Sequence, residues 1–189
     1  MRKLILQVQM SVDGFIAGPN GEQDWMTWTW DRPLENFVNK ITDSIDTILL
    51  GRKMSVDFLA YWENVVNNQP GSIEFEFAKK MVNTSKIIFS KTINTTNGKN
   101  TVVNNGDLAE EVNKLKSQSG KDIIAYGGAT FDASLINAGL VDDFYLFVNP
   151  VAIGKGMGIF NTLPHKLDFK LVNATGYECG ITVLHYRKK

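Results

Sequence analysis

Short apolar runs alternate with helical patterns along most of the chain, and this alternation stops after Gly139. Strands that alternate with helices are typical of parallel sheets covered by helices. The rest of the chain holds three strand-like runs with no helix between them, and residues 176–180 supply a turn between the last two. We therefore expect an α/β fold with a mixed sheet that ends in an antiparallel hairpin. Because no linker or repeat interrupts the pattern, residues 1–189 are expected to form one domain.

The predicted elements are short, as is usual for strands and helices of a small domain. The predicted strands are Leu4 to Met10, Thr47 to Leu50, Lys86 to Ser90, Thr101 to Val103, Asp122 to Tyr126, Asp143 to Val148, Phe169 to Thr175 and Ile181 to Arg187. The predicted helices run from Pro33 to Ser44, from Gly51 to about Trp62, from Ser72 to Val82, from a cap at Asp107 to Lys116, and from Gly127 to Ala138. Residues 11–31 are predicted to form a loop rich in glycine and tryptophan.

Charge and cysteine content exclude several kinds of partner and site. Twenty basic residues balance twenty acidic ones, so no overall field favours nucleic acid or an anionic membrane. Cys179 is the only cysteine and the chain has two histidines, so neither a disulfide nor a Cys/His metal site is expected. The apolar run near the N-terminus ends at Gln7, too early for a signal peptide or a membrane span. These features predict a cytoplasmic protein with a small-molecule substrate.

Two segments carry a predicted strand directly through glycine into a predicted helix. The segment IIAYGGATF does so at Gly127 and Gly128, and TILLGRKM does so at Gly51, with Arg52 and Lys53 next. The first-turn amides and the dipole of a helix attract phosphate, and glycine lets a ligand approach the backbone. Two cations at a helix start are unfavourable unless an anion compensates them. The alternatives are tight turns that bind nothing and cations that are simply solvated.

A third predicted strand end, in IIFSKT, offers Ser90 and Lys91 as hydrogen-bond donors. Open α/β sheets bind their ligands beyond the carboxyl ends of the strands. Three strand ends that each suit a phosphate therefore favour a site for an anionic ligand such as NADPH.

The loop at 11–31 is the most unusual stretch of the sequence. The turn pairs Asp13-Gly14 and Asn20-Gly21 are followed closely by Trp25, Trp28 and Trp30. Tryptophans on a loop can wall a pocket that stacks a flat heterocycle and excludes water. The alternative is that one or two of these side chains belong to the core.

The glycines of IGKGMGIF could pass for a phosphate-binding loop. They follow a strand but open no clear helix, so a flexible loop is the favoured interpretation. The position of this loop after the predicted cofactor helix leaves a role beside the substrate open.

The chain resembles the dihydrofolate reductase superfamily in four segments that occur in the same order: SVDGFIAGPNGEQDW, ILLGRKM, IIFSK and IIAYGGATFDASLINAGLVDDFYLFVNP. The closer resemblance is to the riboflavin-biosynthesis reductase branch, the RibD C-terminal domain, and its small stand-alone bacterial relatives. The resemblance extends over nearly the whole chain. It implies a dihydrofolate-reductase-like, three-layer α/β/α fold, an NADPH-dependent oxidoreductase, and a homodimer of the kind that relatives often form.

The resemblance also implies roles for the matching residues. Ile16 and Ala17 would flank the nicotinamide, and Asp13 and Trp25 would lie on the substrate side. The cluster of tryptophans on the loop adds Trp28 as a further candidate on the substrate side. The phosphate-binding residues would be Gly51, Arg52 and Lys53 at the phosphates, Ser90 and Lys91 at the adenosine 2′-phosphate, and Tyr126, Gly127, Gly128, Ala129 and Thr130 at the pyrophosphate.

The chain departs from folate reductases at several matching positions. Trp30 stands where the pterin-binding carboxylate is expected, and Asp31 comes one residue late. Thr84, Phe147 and Asp132 stand where the family has arginine, threonine and tyrosine. A buried polar ligand edge that loses its partner is strongly disfavoured. Dihydrofolate reduction is therefore not expected, and reduction of an aminouracil ribose phosphate, as in riboflavin biosynthesis, is the better analogy.

Two aspartates are candidate proton donors. Asp31 is the first, with helix capping as its structural alternative, and Asp57 is the second, with a solvated helix face as its alternative. The leading hypothesis is an NADPH-dependent reductase that acts on a small nitrogen heterocycle. A non-catalytic protein that binds NADPH or another ligand on the same fold is the second hypothesis. An interaction module anchored by Trp28 and Trp30 is the third.

Overall fold

The computed structural model describes residues 1–189 and contains five helices and ten strands. The helices are α1 Arg32–Asp43, α2 Arg52–Asn68, α3 Phe75–Asn83, α4 Leu108–Ser117 and α5 Ala129–Asn137. The strands are β1 Leu4–Met10, β2 Phe15–Ala17, β3 Ile45–Gly51, β4 Ser85–Phe89, β5 Thr101–Asn104, β6 Asp122–Ala125, β7 Asp143–Val148, β8 Met157–Gly158, β9 Phe169–Gly176 and β10 Thr182–Lys188. Every element predicted from the sequence is present, and β2 and β8 are additional.

Eight of the strands form one mixed sheet in the order β5-β4-β3-β6-β1-β7-β10-β9. The six strands from β5 to β7 are parallel to one another. β10 then runs antiparallel to β7, and β9 runs antiparallel to β10. The prediction of a mostly parallel sheet with an antiparallel hairpin at the end is confirmed.

Helices cover both faces of the sheet because successive strand side chains point to opposite sides. On one face, Leu4 and Leu6 of β1 belong to a core cluster with residues of α4 and α5. On the other face, Ile5 belongs to a cluster with residues of α1, α2 and α3. The resulting three-layer α/β/α arrangement is the one that was predicted.

Three helices have boundaries that differ from the prediction. α5 begins at Ala129 and not at Gly127, because Gly127 and Gly128 have φ angles of 96° and 90°, which no α-helix accommodates. α2 continues to Asn68, because the fully buried Val65 extends its apolar face. α3 begins only at Phe75, whose amide closes a turn onto the carbonyl of Ser72. None of the five helices combines the length and apolar character that a membrane span requires.

The two additional strands join the loop at 11–31 to the glycine-rich segment at 154–158. β2 pairs with β8 in an antiparallel two-stranded sheet. A Cβ atom at Gly156 would overlap the carbonyl oxygen of Ala17, so this glycine lets two backbones approach. The prediction of a flexible loop was therefore wrong for Met157 and Gly158, which form an ordered strand beside β2.

Candidate functional site

Three neighbouring parallel strands end at the same edge of the sheet. Gly51 of β3 pairs with Phe89 of β4, and Leu49 of β3 pairs with Ala125 of β6. We use the name carboxyl rim for the residues at and after these strand ends: Gly51 to Lys53, Ser90 to Lys91 and Tyr126 to Thr130. The structure thus places the predicted phosphate-binding residues at one edge, while their binding role stays a prediction.

The starts of α2 and α5 are in direct contact at the carboxyl rim. The Gly51 amide donates a hydrogen bond to the Gly127 carbonyl oxygen at 3.1 Å. A Cβ atom at Gly51 would lie 2.7 Å from Cβ of Phe131, closer than two such atoms can approach. Glycine at position 51 is therefore needed for two strand-to-helix turns to lie side by side.

Both helix starts leave their first-turn amides without a side-chain cap. The N-cap residues are Gly51 for α2 and Gly128 for α5, and neither has a side chain that can accept a hydrogen bond. By contrast, α1 and α4 are capped by the carboxylates of Asp31 and Asp107. Uncapped amides at a helix N-terminus, combined with the helix dipole, form a ready binding site for an anion.

Two cations without protein partners accompany the start of α2. Arg52 and Lys53 are exposed, and no acidic residue lies in the first turn of this helix. Neither side chain takes part in an ion pair. Because a cation at a helix N-terminus opposes the dipole, a bound phosphate would relieve an unfavourable arrangement.

Ser90 and Lys91 lie at the rim but are engaged within the protein. The Ser90 hydroxyl oxygen accepts hydrogen bonds from the amides of Thr92 and Ile93, at 3.0 and 3.1 Å. The Lys91 ammonium donates to the carbonyl oxygens of Asn105 and Gly106, at 2.9 and 2.8 Å. These contacts organise the loops after β4 and β5, so Arg52 and Lys53 are better placed than Lys91 to meet a further phosphate.

Tyr126 points away from the rim into the core. Its ring stacks on Phe58 of α2, with centroids 5.7 Å apart. Burial raises the pKa of Tyr126 to about 12, against a smaller opposite effect of the Thr42 hydroxyl. The Thr42 hydroxyl donates to the Val38 carbonyl, and the buried Tyr126 hydroxyl has no hydrogen-bond partner. The backbone of Tyr126 lies at the rim, while its side chain belongs to the core.

Asp132 is the residue of this region that the sequence did not indicate as part of a site. It lies in the first turn of α5, it is fully buried, and neither of its carboxyl oxygens has a hydrogen-bond partner. A Cβ atom at Gly127 would lie 2.9 Å from its Oδ2 atom. Burial raises the pKa of Asp132 well above its ordinary value. The sequence offered two signals: an aspartate within the mostly apolar stretch ATFDASLI, and its position where the resembled family has tyrosine.

The predicted nicotinamide neighbours Ile16 and Ala17 lie on β2 and are buried. Asp13, just before β2, accepts hydrogen bonds from the amides of Ile153 and Gly154, at 3.2 and 2.7 Å. The Ser11 hydroxyl and these amides hold the pKa of Asp13 below its usual value. Asp13 therefore ties the loop at 11–31 to the segment before β8, and its predicted role beside the substrate stays untested.

The three tryptophans of the loop differ in their surroundings. Trp28 is 63% exposed, and Trp25 is partly buried with its indole N–H donating to the Glu22 carbonyl. Trp30 stacks on Phe147 with centroids 6.3 Å apart. The alternative interpretation, that some of these tryptophans belong to the core, therefore holds for Trp30, while Trp25 and Trp28 remain available to a ligand.

The two candidate proton donors, Asp31 and Asp57, lie where their structural alternatives placed them, at a helix cap and on a solvated helix face. Asp31 caps α1, accepting from the amide of Leu34 at 2.9 Å, and its other oxygen accepts from the amide of Cys179 at 3.1 Å. The Leu34 hydrogen bond, followed by that of Cys179, holds the pKa of Asp31 below its usual value despite some desolvation. Asp57 is exposed on α2. No cluster of three or more metal-ligating side chains exists.

Comparison with known proteins identifies the family. The RibD C-terminal domain family matches residues 2–183, nearly the whole chain. This chain belongs to the RibD C-terminal domain family. The chain is also similar to the uncharacterized protein YyaP of Bacillus subtilis strain 168. It is 37% identical over 185 residues, which cover 98% of this chain and 94% of YyaP.

Solved structures show the same fold. A Shewanella sp. PV-4 protein provisionally assigned to riboflavin biosynthesis superposes with a TM-score of 0.76 at 19% identity, covering 99% of both chains. A Thermotoga maritima diaminohydroxyphosphoribosylaminopyrimidine deaminase/5-amino-6-(5-phosphoribosylamino)uracil reductase superposes with a TM-score of 0.63 at 16% identity. All of this chain but only 57% of the Thermotoga protein takes part in that match. This RibD C-terminal domain therefore has the dihydrofolate-reductase-like fold that the sequence predicted.

The residues of the carboxyl rim fit a dinucleotide phosphate. The turn offers two uncapped helix starts joined by the hydrogen bond from Gly51 to Gly127, and two cations without partners. Glycine at 127 and 128 permits the positive φ angles of the turn, and Gly127 also leaves room for the buried carboxyl group of Asp132. The arrangement can hold negative charge close to the backbone, which a dinucleotide cofactor requires.

Proposed function

We propose that this chain is an NADPH-dependent reductase that transfers a hydride to a small nitrogen heterocycle or a related compound. The substrate type would be that of 5-amino-6-(5-phosphoribosylamino)uracil. One observation carries the proposal: two uncapped helix starts, joined by the 3.1 Å hydrogen bond from Gly51 to Gly127, lie beside the unpaired Arg52 and Lys53. Membership of the RibD C-terminal domain family supports it.

The residues of the rim would divide the binding of NADPH among them. The amides at the starts of α2 and α5 would hold the pyrophosphate, and Arg52 and Lys53 would hold the 2′-phosphate. Reduced nicotinamide supplies the hydride when it is bound. Ile16 and Ala17, buried on β2, would orient its ring, and the half-buried Trp25 would keep water from the reacting atoms.

The second candidate is a protein that binds NADPH, or another ligand, without turnover. The engagement of Asp31 favours it, because a carboxylate that accepts two backbone hydrogen bonds with a lowered pKa is a poor proton donor. Asp57 is exposed on α2, and no hydrogen bond or ion pair orients its carboxyl group. A reductase of this kind would therefore need a proton from solvent or from another group.

The quaternary structure and the compartment also belong to the proposal. We propose a homodimer, supported by the exposed apolar side chains of Leu171 and Val172 on the edge strand β9. The cytoplasmic location stays a prediction from the sequence.

Titration with NADPH followed by a substrate screen tests the function. Energy transfer from the tryptophans to NADPH should saturate, and the absorbance of NADPH should then fall when aminouracil ribose phosphates are added. Pterins and cyclic imines complete the panel. Saturable binding without consumption of NADPH on any compound would favour the second candidate. Absence of binding at millimolar NADPH would contradict the reductase and the NADPH-binding form of the second candidate.

A further inference from the structure

A carboxyl group without any partner lies beneath the turn between β6 and α5. The side chain of Asp132 is fully buried, and both of its oxygens lack a hydrogen-bond partner. A buried polar group that is left unpaired destabilises the fold, and a buried charge does so more strongly. Since α5 would pack at least as well around an apolar residue, packing alone does not explain an aspartate here.

The position of Asp132 connects it to the proposed phosphate site. Its Oδ2 atom lies 2.9 Å from the place that a Cβ of Gly127 would occupy. Its amide donates to the Gly128 carbonyl at 3.0 Å and so closes the first turn of α5. The carbonyl of Gly127, in turn, accepts from the Gly51 amide. The carboxyl group therefore lies under the turn that joins both helix starts.

No neighbouring charge compensates an ionised Asp132. The titratable residue of β6, Asp122, and that of β3, Asp46, lie toward the strand starts, at the other edge of the sheet. β8, which also packs against α5, contains no titratable residue. At the rim itself, Arg52 and Lys53 begin the adjacent helix, and neither forms an ion pair with Asp132.

We propose that Asp132 is a positioning residue of the dinucleotide site, whose neutral acid form supports the phosphate-holding turn and whose carboxylate form weakens phosphate binding. The inference rests on the proposed function, because it assumes that the turn at Gly127 and Gly128 holds a phosphate. A carboxylate beneath the turn repels a phosphate bound above it, whereas the neutral acid does not.

The coupling must act in both directions. Burial raises the pKa of Asp132, so the acid form persists above the pH at which an aspartate ordinarily ionises. A bound phosphate raises this pKa further, because it disfavours a second negative charge nearby. The complex therefore holds more protons than the free protein in the range between the two pKa values. In that range, binding takes up a proton and affinity falls as pH rises.

The dissociation constant of NADPH as a function of pH tests the proposal in the full-length protein. Over the pH range in which Asp132 ionises, which lies above the ordinary range for aspartate, the wild-type constant should rise by up to about tenfold per pH unit. Asp132→Asn keeps the shape of the side chain but cannot ionise, so its constant should stay within about threefold across this range. Glu110→Gln, which removes an exposed first-turn carboxylate from α4, should follow the wild type.

A second measurement needs no variant and covers the case in which Asp132→Asn fails to fold. Calorimetric titration of the wild type with NADPH, in two buffers of different ionisation enthalpy, should show uptake of up to one proton where affinity falls. A wild-type affinity independent of pH, or a pH slope that survives in Asp132→Asn, overturns the role of Asp132 alone. Absence of NADPH binding at every pH overturns the proposed function and this inference with it.

Discussion

The charged groups at the two ends of the parallel strands differ in whether they have partners within the protein. At the edge where the parallel strands begin, the buried Asp143 binds three basic side chains, those of Lys3, His185 and Arg187. At the carboxyl rim, Arg52 and Lys53 have no acidic partner, and Asp132 has no partner at all. Native structures normally satisfy such groups, and exceptions concentrate where a ligand completes them. The first edge stabilises the fold, and the second is the edge at which we propose that a dinucleotide binds.

The same contrast exists among the helices that start at the carboxyl edge. α1 and α4 receive a carboxylate cap, from Asp31 and Asp107. α2 and α5 begin at Gly51 and Gly128 and receive none. Two neighbouring helices thus leave their amides uncapped where the sheet brings their starts together, and this pairing supports the proposed phosphate site.

The largest expected effect comes from disrupting the paired edge. Asp143→Ala leaves Lys3, His185 and Arg187 without their common acceptor and should lower the free energy of unfolding by about 3 kcal/mol. Urea denaturation measures this change. NADPH affinity should be unaffected, because Asp143 lies at the opposite edge. Asp168→Ala, which removes an exposed partner of Lys166, is the matched control and should cost less than about 1 kcal/mol.

The pH dependence of the free energy of unfolding should also depend on Asp143 and its basic partners. Burial acts to raise the pKa of Asp143, but hydrogen bonds from Arg187, His185 and Lys3 hold it below its usual value. Its stabilising contribution is therefore present above the ordinary aspartate pKa and is lost as pH falls through the lowered one. The wild type should lose more stability on acidification below about pH 4 than Asp143→Ala does. If the wild type and Asp143→Ala lost the same stability on acidification, the proposed contribution of the Asp143 ion pairs would be contradicted.

Substitutions at the carboxyl rim should change the affinity for NADPH and leave the free energy of unfolding nearly unchanged. Arg52→Ala should weaken NADPH binding by about 10- to 100-fold, because a charge-assisted contact with the 2′-phosphate is lost. NADH, which lacks that phosphate, should lose much less, and the free energy of unfolding should stay the same or rise slightly. Lys40→Ala, an exposed cation in the last turn of α1, should change neither affinity. Equal losses for both dinucleotides would place the 2′-phosphate elsewhere.

The smallest expected effect separates the capped from the uncapped helix starts. Asp31→Ala removes the α1 cap and the contact with Cys179 and should lower the melting temperature, whereas Asp31→Asn keeps one acceptor for the cap and should lower it less. Thermal unfolding distinguishes the two variants, and equal losses would contradict the capping role. Asp31→Asn also removes the acid. Turnover on an identified substrate should be retained in Asp31→Asn, because an engaged carboxylate with a lowered pKa is a poor proton donor.

The sequence predicted the features that depend on local pattern. Apolar runs between turn residues located eight of the ten strands, and a capping aspartate followed by an apolar periodic segment located α4. The glycines at 51, 127 and 128 predicted the two turns of the rim, because close backbone approach depends on the residue itself.

Features that depend on distant contacts were not predictable in the same way. β2 and β8 have three and two residues and pair only because the chain brings Phe15 beside Gly158. The engagement of Lys91 with the loop after β5 depends on where that loop lies. The burial of Asp132 depends on how α5 packs on the sheet. Most of the fold was therefore predictable, whereas the partners of Lys91 and the burial of Asp132 were not.

Residue-resolved NMR is the most direct test of the carboxyl rim as a dinucleotide site. Titration of the ¹⁵N-labelled protein with NADPH should shift the backbone amides of Arg52, Gly128 and Ala129 most strongly, and those around Asp143 little. Shifts confined to the edge around Asp143, or rim amides unchanged at saturating NADPH, would contradict a dinucleotide site at the carboxyl rim.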